Sequence, residues 1–133
     1  MDFAATFIEE AGGIITKEDK LDGVNLLPYL TGKMNTRPHE ELNWRFTISA
    51  AIREGDWKLV RLPDRLPMLY YLPDDISEQN NVALQNLEQT KKMLKNLGQW
   101  DVRLPHPVFL EGAEYKSMQL DLYDWKYPLI QPD

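Results

Sequence analysis

His39 and His106 are the only imidazoles in the chain, and no i, i+4 or similar ligand spacing links them. A local metal site built on them is therefore not expected. There is no cysteine, which excludes disulfides, thiolate-ligated zinc and a cysteine nucleophile within the chain. Asp74 and Asp75 form a carboxylate pair of the kind that hard cations take. Such a cation needs about six or more converging oxygens, and the pair directly follows a predicted strand, where a turn accounts for it. Arg53, Asp56, Trp57 and Lys58 surround Gly55. Gly55 permits a turn, Asp56 is placed to accept backbone amides there, Trp57 packs, and Arg53 and Lys58 find carboxylates across the strands. Asn81 reads as an N-cap. His106, between two prolines, reads as a surface residue.

The elements that would position these groups follow from periodicity. Residues 2 to 11 predict a helix with Asp2 as N-cap, Phe3, Phe7 and Ile8 on one face, and Gly12 and Gly13 as the stop. Leu26, Leu27 and Leu30 make one apolar turn, broken by Pro28 and closed by Gly32, and residues 33 to 41 read as an exposed loop. From Leu42 to Ser49 apolar and polar residues alternate, with Leu42, Trp44, Phe46 and Ile48 on one side. Ala50–Arg53 continue or restart a strand. Glu54-Gly55-Asp56 turns the chain into Trp57–Arg61, and Met68–Leu72 makes the next strand. Residues 84 to 97 predict an amphipathic helix with Leu84, Leu87, Leu94 and Leu97 on its stripe and Gly98 as its end. Residues 101 to 133, punctuated by Pro105, Pro107, Pro128 and Pro132, read as an irregular tail with at most one short strand near residues 119 to 125. The expected fold is α+β: a single domain, residues 1 to 133, with a small antiparallel sheet of three to four strands flanked by helices.

The totals agree with one modest core. Of 133 residues, 43% are hydrophobic and 27% charged, and the net charge is -6. Scattered basic residues in an acidic chain disfavour nucleic acid and anionic membrane surfaces as partners. No apolar run approaches the roughly 20 residues of a membrane span. Met1–Ala5 lacks the positive region of a signal peptide.

Four segments, in order across residues 1 to 83, resemble the C-terminal region of sulfatases of the formylglycine-dependent, arylsulfatase-like type in the alkaline-phosphatase-like superfamily. Residues 1 to 12, MDFAATFIEEAG, look like the family helix D-hydrophobic-x-P/A-T-hydrophobic-hydrophobic-x-x-A-G. Residues 21 to 32, LDGVNLLPYLTG, are similar to DG-x-S-L-x-P-x-L-x-G, with Asn25 where Ser is common. Residues 51 to 60, AIREGDWKLV, are similar to A-V/I-R-x-G-D-W/Y-K-L-hydrophobic. Residues 69 to 83, with Leu69, Tyr70, Leu72, Asp75, Glu78, Asn81 and Ala83, resemble LYDL-x-x-D-P-x-E-x-x-N-L-A, with Tyr71 for Asp and Ile76 for Pro. The resemblance fades after about residue 100.

The resemblance implies a sheet with a packed helix that leans on a large catalytic domain, the expected partner. It also implies that the complete protein hydrolyses sulfate esters with a formylglycine nucleophile and a calcium ion, and that such proteins are often periplasmic or secreted. The family nucleophile lies in a C/S-x-P-x-R motif. Ser49 has Arg53 four residues on but Ala51 where Pro belongs, and Ser77 and Ser117 lack both. The family's paired metal aspartates belong to segments that this sequence lacks. The expectation is therefore a C-terminal part without catalytic residues, metal ligands or a cofactor of its own, inactive alone. A stand-alone interaction module, or the tail of a related phosphonate or phosphodiester hydrolase, is the alternative.

In the family, the region before the first strand approaches the mouth of the active site. Arginine suits the anionic oxygens of a sulfated sugar and tryptophan its ring face. This makes His39, Asn43, Trp44 and Arg45 the substrate-contact candidates. The competing reading is an exposed loop followed by an ordinary strand with Trp44 in the core. The first helix, with Phe3, Phe7 and Ile8 lacking a partner, is expected either to fold back onto its own sheet or to form a homodimer.

Overall fold

A computed structural model describes residues 1 to 108 and 112 to 126. The chain divides into two compact units, Met1–Glu40 and Glu41–Asp133.

In the first unit, helix α1 spans Asp2–Glu10 and buries Ala5 and Thr6. Its N-cap is Met1, not Asp2. The Asp2 carboxylate is taken up elsewhere: it accepts the Val24 N–H at 3.1 Å and lies 2.8 Å from His39 Nε2. The Thr6 hydroxyl donates to the Asp2 carbonyl (2.8 Å) and accepts the Leu26 N–H (3.0 Å). These two side chains fasten the segment around residues 24 to 26 to the helix. Gly12 ends α1 in the left-handed region, at φ 81°. Gly23 lets the chain pass Met1, because a Cβ there would sit 2.5 Å from the Met1 carbonyl oxygen. The short helix α2, Leu27–Leu30, carries Pro28 in its first turn. Proline begins this turn rather than breaking it, because first-turn N–H groups have no intrahelical partner.

The second unit is built on four antiparallel strands, β1 Glu41–Phe46, β2 Ser49–Glu54, β3 Trp57–Arg61 and β4 Met68–Tyr71, ordered β1-β2-β3-β4. The α+β class and the antiparallel sheet expected from the sequence are both present. The alternation from Leu42 to Ser49 is not one strand. Thr47 takes φ 51°, and Phe46 pairs with Ser49 across a two-residue turn. The second hairpin closes on Gly55 at φ 53°, with Glu54 opposite Trp57.

Ala50, Ile52, Leu59 and Leu69 point to one face and bury against Met93 and Leu97 of helix α3, Leu87–Asp101. Met68, Tyr70 and Leu72 point the other way and pack with Tyr123 of helix α4, Ala113–Lys126. Helix α3 begins later than its leucine pattern suggests and runs through Gly98. Its buried stripe is Thr90, Met93 and Leu97, while Leu84 and Leu87 are exposed. A mid-helix glycine costs about 1 kcal/mol. The last turn offsets this, with Trp100 against the core and Asp101 in two ion pairs. The region expected as an irregular tail with a short strand contains α4 instead. Its alternation of polar and apolar residues satisfies a helix as well, with Tyr123 toward the sheet. Pro128 and Pro132 fall outside the described residues.

Candidate functional site

The four substrate-contact candidates fall in different surroundings. His39 belongs to the first unit, where its Nε2 meets Asp2. Burial of the Asp2 carboxyl works against ionisation. The His39 hydrogen bond, the Val24 N–H and the neighbouring positive charge outweigh it and hold that carboxyl below its usual value.

Asn43, Trp44 and Arg45 lie on β1. Asn43 is opposite Ile52 and Arg45 opposite Ala50, so the polar pair shares the face that carries the α3 core. Trp44 and Phe46 turn to the other face and are 45% and 53% exposed. The alternation had suggested the reverse, with Trp44 inward. Asn43 Nδ2 donates to Glu41 Oε1 at 2.5 Å, and among the described residues its buried Oδ1 has no hydrogen-bond partner. Phe46 packs edge-on against Tyr115 of α4, with ring centroids 5.6 Å apart.

Arg45 enters a cleft of about 710 Å³ whose walls include Thr47, Arg61, Arg65, Asp101 and His106. Arg45 donates to Asp101 Oδ1 (3.1 Å) and to the Pro105 carbonyl (2.5 Å), and Arg61 donates to Asp101 Oδ2 (2.8 Å). The Arg61 hydrogen bond, against the cost of burial and helped by Arg45, holds the Asp101 carboxyl below its ordinary range. Arg65 grips Asp124 of α4 with two bonds of 2.6 Å. This lowers the Asp124 carboxyl and raises the Arg65 guanidinium. Sequence reasoning missed Arg61, Arg65 and Asp101. One signal was legible: Arg61 shares the strand face of Trp57 and Leu59, and a cation on a core-facing row needs a buried partner.

The motif residues hold the scaffold. Asn81 Oδ1 accepts the N–H groups of Leu69 and Ala83, each at 3.0 Å. Asp75 accepts those of Gln79 (2.9 Å) and Asn80 (2.8 Å), which holds its carboxyl low. Lys58 pairs with Glu78 at 2.5 Å, the Asp56 carbonyl accepts the Leu72 N–H, and Trp57 lies on Tyr71 with centroids 4.8 Å apart. The Asp74–Asp75 pair thus sits in a turn. Among the described residues no three acidic or histidine side chains converge as a metal-ligand set. The Ser49 hydroxyl donates to Gln119 at 2.8 Å and sits in no nucleophile motif.

No family model matches the chain. It is 48% identical to the uncharacterized sulfatase YdeN of Escherichia coli (strain K12), over 70% of this chain and 23% of that protein. Among solved structures, it is similar to Ps i-CgsB in complex with k-i-k-neocarrahexaose, with a TM-score of 0.68 and 26% identity, over 91% of this chain and 28% of that one. It is also similar to BT33336S-sulf, from the metabolism of glycosaminoglycans by Bacteroides thetaiotaomicron, with a TM-score of 0.62 and 25% identity, over 76% of this chain and 24% of that one. The chain spans about a quarter of the length of each. By sequence and by fold, this chain belongs with the sulfatases.

Proposed function

We propose that this chain is the accessory C-terminal region of a sulfatase-like hydrolase, and that it hydrolyses no sulfate ester by itself. The observation that carries this reading is the use of the family-like residues. Asp2, Thr6, Asp75 and Asn81 each spend their side chains on backbone amides and brace turns. In a complete protein, the nucleophile, formylglycine in that family, and the calcium site come from the catalytic region. That region is the natural partner. The face of α1 that carries Phe3 and Phe7, 70% and 68% exposed with rings stacked at 6.1 Å, suits such a contact, since soluble proteins rarely leave large apolar patches open. A homodimer through the same helix is the competing use of that face.

The part of this region in substrate choice falls to Trp44, whose exposed indole suits a sugar ring face. Its similarity to a protein crystallised with neocarrahexaose supports a saccharide as the class of ligand. Sulfate release from an aryl sulfate by the purified chain, with and without calcium, tests the proposal. No release above background is expected, whereas turnover near one per second, in the ordinary enzyme range, would overturn it. Saturable binding of a carrageenan oligosaccharide, followed by tryptophan fluorescence and lost in Trp44→Ala, is the expected sign of the saccharide contact.

A further inference from the structure

The two edges of the sheet differ. At β4 the edge is closed: the Leu69 N–H is taken by Asn81 Oδ1 and the Leu69 carbonyl accepts the Val82 N–H at 2.9 Å. At β1 no described strand pairs with the outer side. The turn Thr47–Ile48 contains two residues and closes on the Phe46–Ser49 pair. In such a hairpin the closing pair is hydrogen-bonded and the pattern alternates along the strand, so Phe46, Trp44 and Leu42 spend their main-chain groups on β2. The main-chain groups of Glu41, Asn43 and Arg45 therefore face outward. The strand is six residues long, ELNWRF, without proline or lysine. An open edge of that kind, with Trp44 and Phe46 exposed beside it, is a template for another strand.

We infer that the β1 edge is a docking surface for the β1 edge of a second copy of this chain, joined antiparallel about a two-fold axis at Asn43. The strand is self-complementary in that register. Glu41 stands opposite Arg45 of the second copy, and Leu42 stands opposite its Trp44. Asn43 stands opposite Asn43 at the axis. A slip of one residue places each side chain opposite one from the other face of the sheet, and a slip of two loses the Glu41–Arg45 match. A two-fold contact of identical patches closes after two copies, and the result is a continuous eight-stranded sheet. This inference is independent of the sulfatase assignment and of the contact suggested for α1.

Light scattering coupled to size exclusion of the 133-residue chain, over a range of concentrations, tests it. The mass is expected to rise toward that of two chains. Asn43→Pro removes an outward N–H that β2 does not use, and is expected to give the mass of one chain with unchanged circular dichroism. Should that variant unfold, Glu41→Arg, which sets like charges opposite each other, is expected to give the same loss of dimer. Because the chain has no cysteine, Asn43→Cys has one possible disulfide, to its own copy. Residues opposite each other in a hydrogen-bonded pair have Cα atoms about 5.5 Å apart, within disulfide reach, so a covalent dimer is expected on mild oxidation. A mass that stays at one chain, or a dimer that survives Glu41→Arg, overturns the inference. So does a dimer that is lost in Phe3→Asp/Phe7→Asp but kept in the β1 variants, since that assigns the contact to α1.

Discussion

Arg61 Nη2 lies 2.8 Å from Asp101 Oδ2, and the other oxygen of that carboxylate takes Arg45 at 3.1 Å. One side chain near the end of α3 thus ties together β1 and β3, which are not neighbours in the sheet. Hydrogen bonds to charged groups typically contribute about 1.5–3 kcal/mol. Asp101→Asn removes the charge from both and is expected to cost about 1–3 kcal/mol by urea unfolding at neutral pH. The folded-state carboxyl is held below its unfolded value. Its contribution is therefore fully present above the unfolded pKa of about 4 and is lost as pH falls through the lower folded value. The gap between the two proteins should narrow below about pH 4. A gap that stays constant from neutral pH to pH 2.5 would show that the pair is not coupled to folding.

Trp57 is half-buried against the α3-side core and lies on Tyr71 with ring centroids 4.8 Å apart. A fully buried aromatic truncated to alanine costs about 3–5 kcal/mol. Partial exposure lowers this, and the ring pair returns part of it, so Trp57→Ala is expected to cost about 2–3 kcal/mol. Thermal melts would show a drop of many degrees, and an unchanged melting temperature would mean that the indole contributes nothing to the core.

The Thr6 hydroxyl bonds two backbone groups at once, the Asp2 carbonyl and the Leu26 N–H. Thr6→Val keeps the shape and removes both bonds. A loss of about 1–2 kcal/mol is expected, with faster amide exchange at Leu26 by NMR as the local signature. Unchanged exchange at that amide would show that water replaces the hydroxyl without loss.

Thr47 is a β-branched residue at φ 51°, a conformation that costs an ordinary L-residue about 1–2 kcal/mol. Thr47→Gly relieves that cost but adds chain entropy to the unfolded state and removes the side-chain contacts. The expected result is a net gain of up to about 1 kcal/mol. A loss of stability on that substitution would show that the side chain contributes more than the backbone strain costs.

The sequence by itself determined the kind of protein and most of its elements. Gly55 could announce a hairpin because positive φ at a two-residue turn is a local requirement. The four motif segments kept their order because each serves a neighbour: Asp2 and Thr6 hold residues 24 and 26, and Asn81 caps the edge at Leu69. Turn chemistry and the alternation of strands depend on residues a few positions apart, so one chain read in order reveals them.

The tertiary structure alone decided which side of each element faces inward and which distant charges meet. On β1 the apolar row Leu42, Trp44 and Phe46 promised the core face. The register with β2 put Asn43 and Arg45 there instead, because Ile52 and Ala50 must point toward α3. Arg45 tolerates that place because Asp101, 56 residues along the chain, supplies the countercharge. Helix α3 likewise buries Thr90, Met93 and Leu97 in preference to Leu87, with Leu84 exposed ahead of the helix, and the Thr90 hydroxyl is satisfied by the carbonyls of Ala83 and Asn86, each at 3.0 Å. Periodicity states that a face exists. Pairing and countercharge, which depend on residues far apart in sequence, choose the one that is buried.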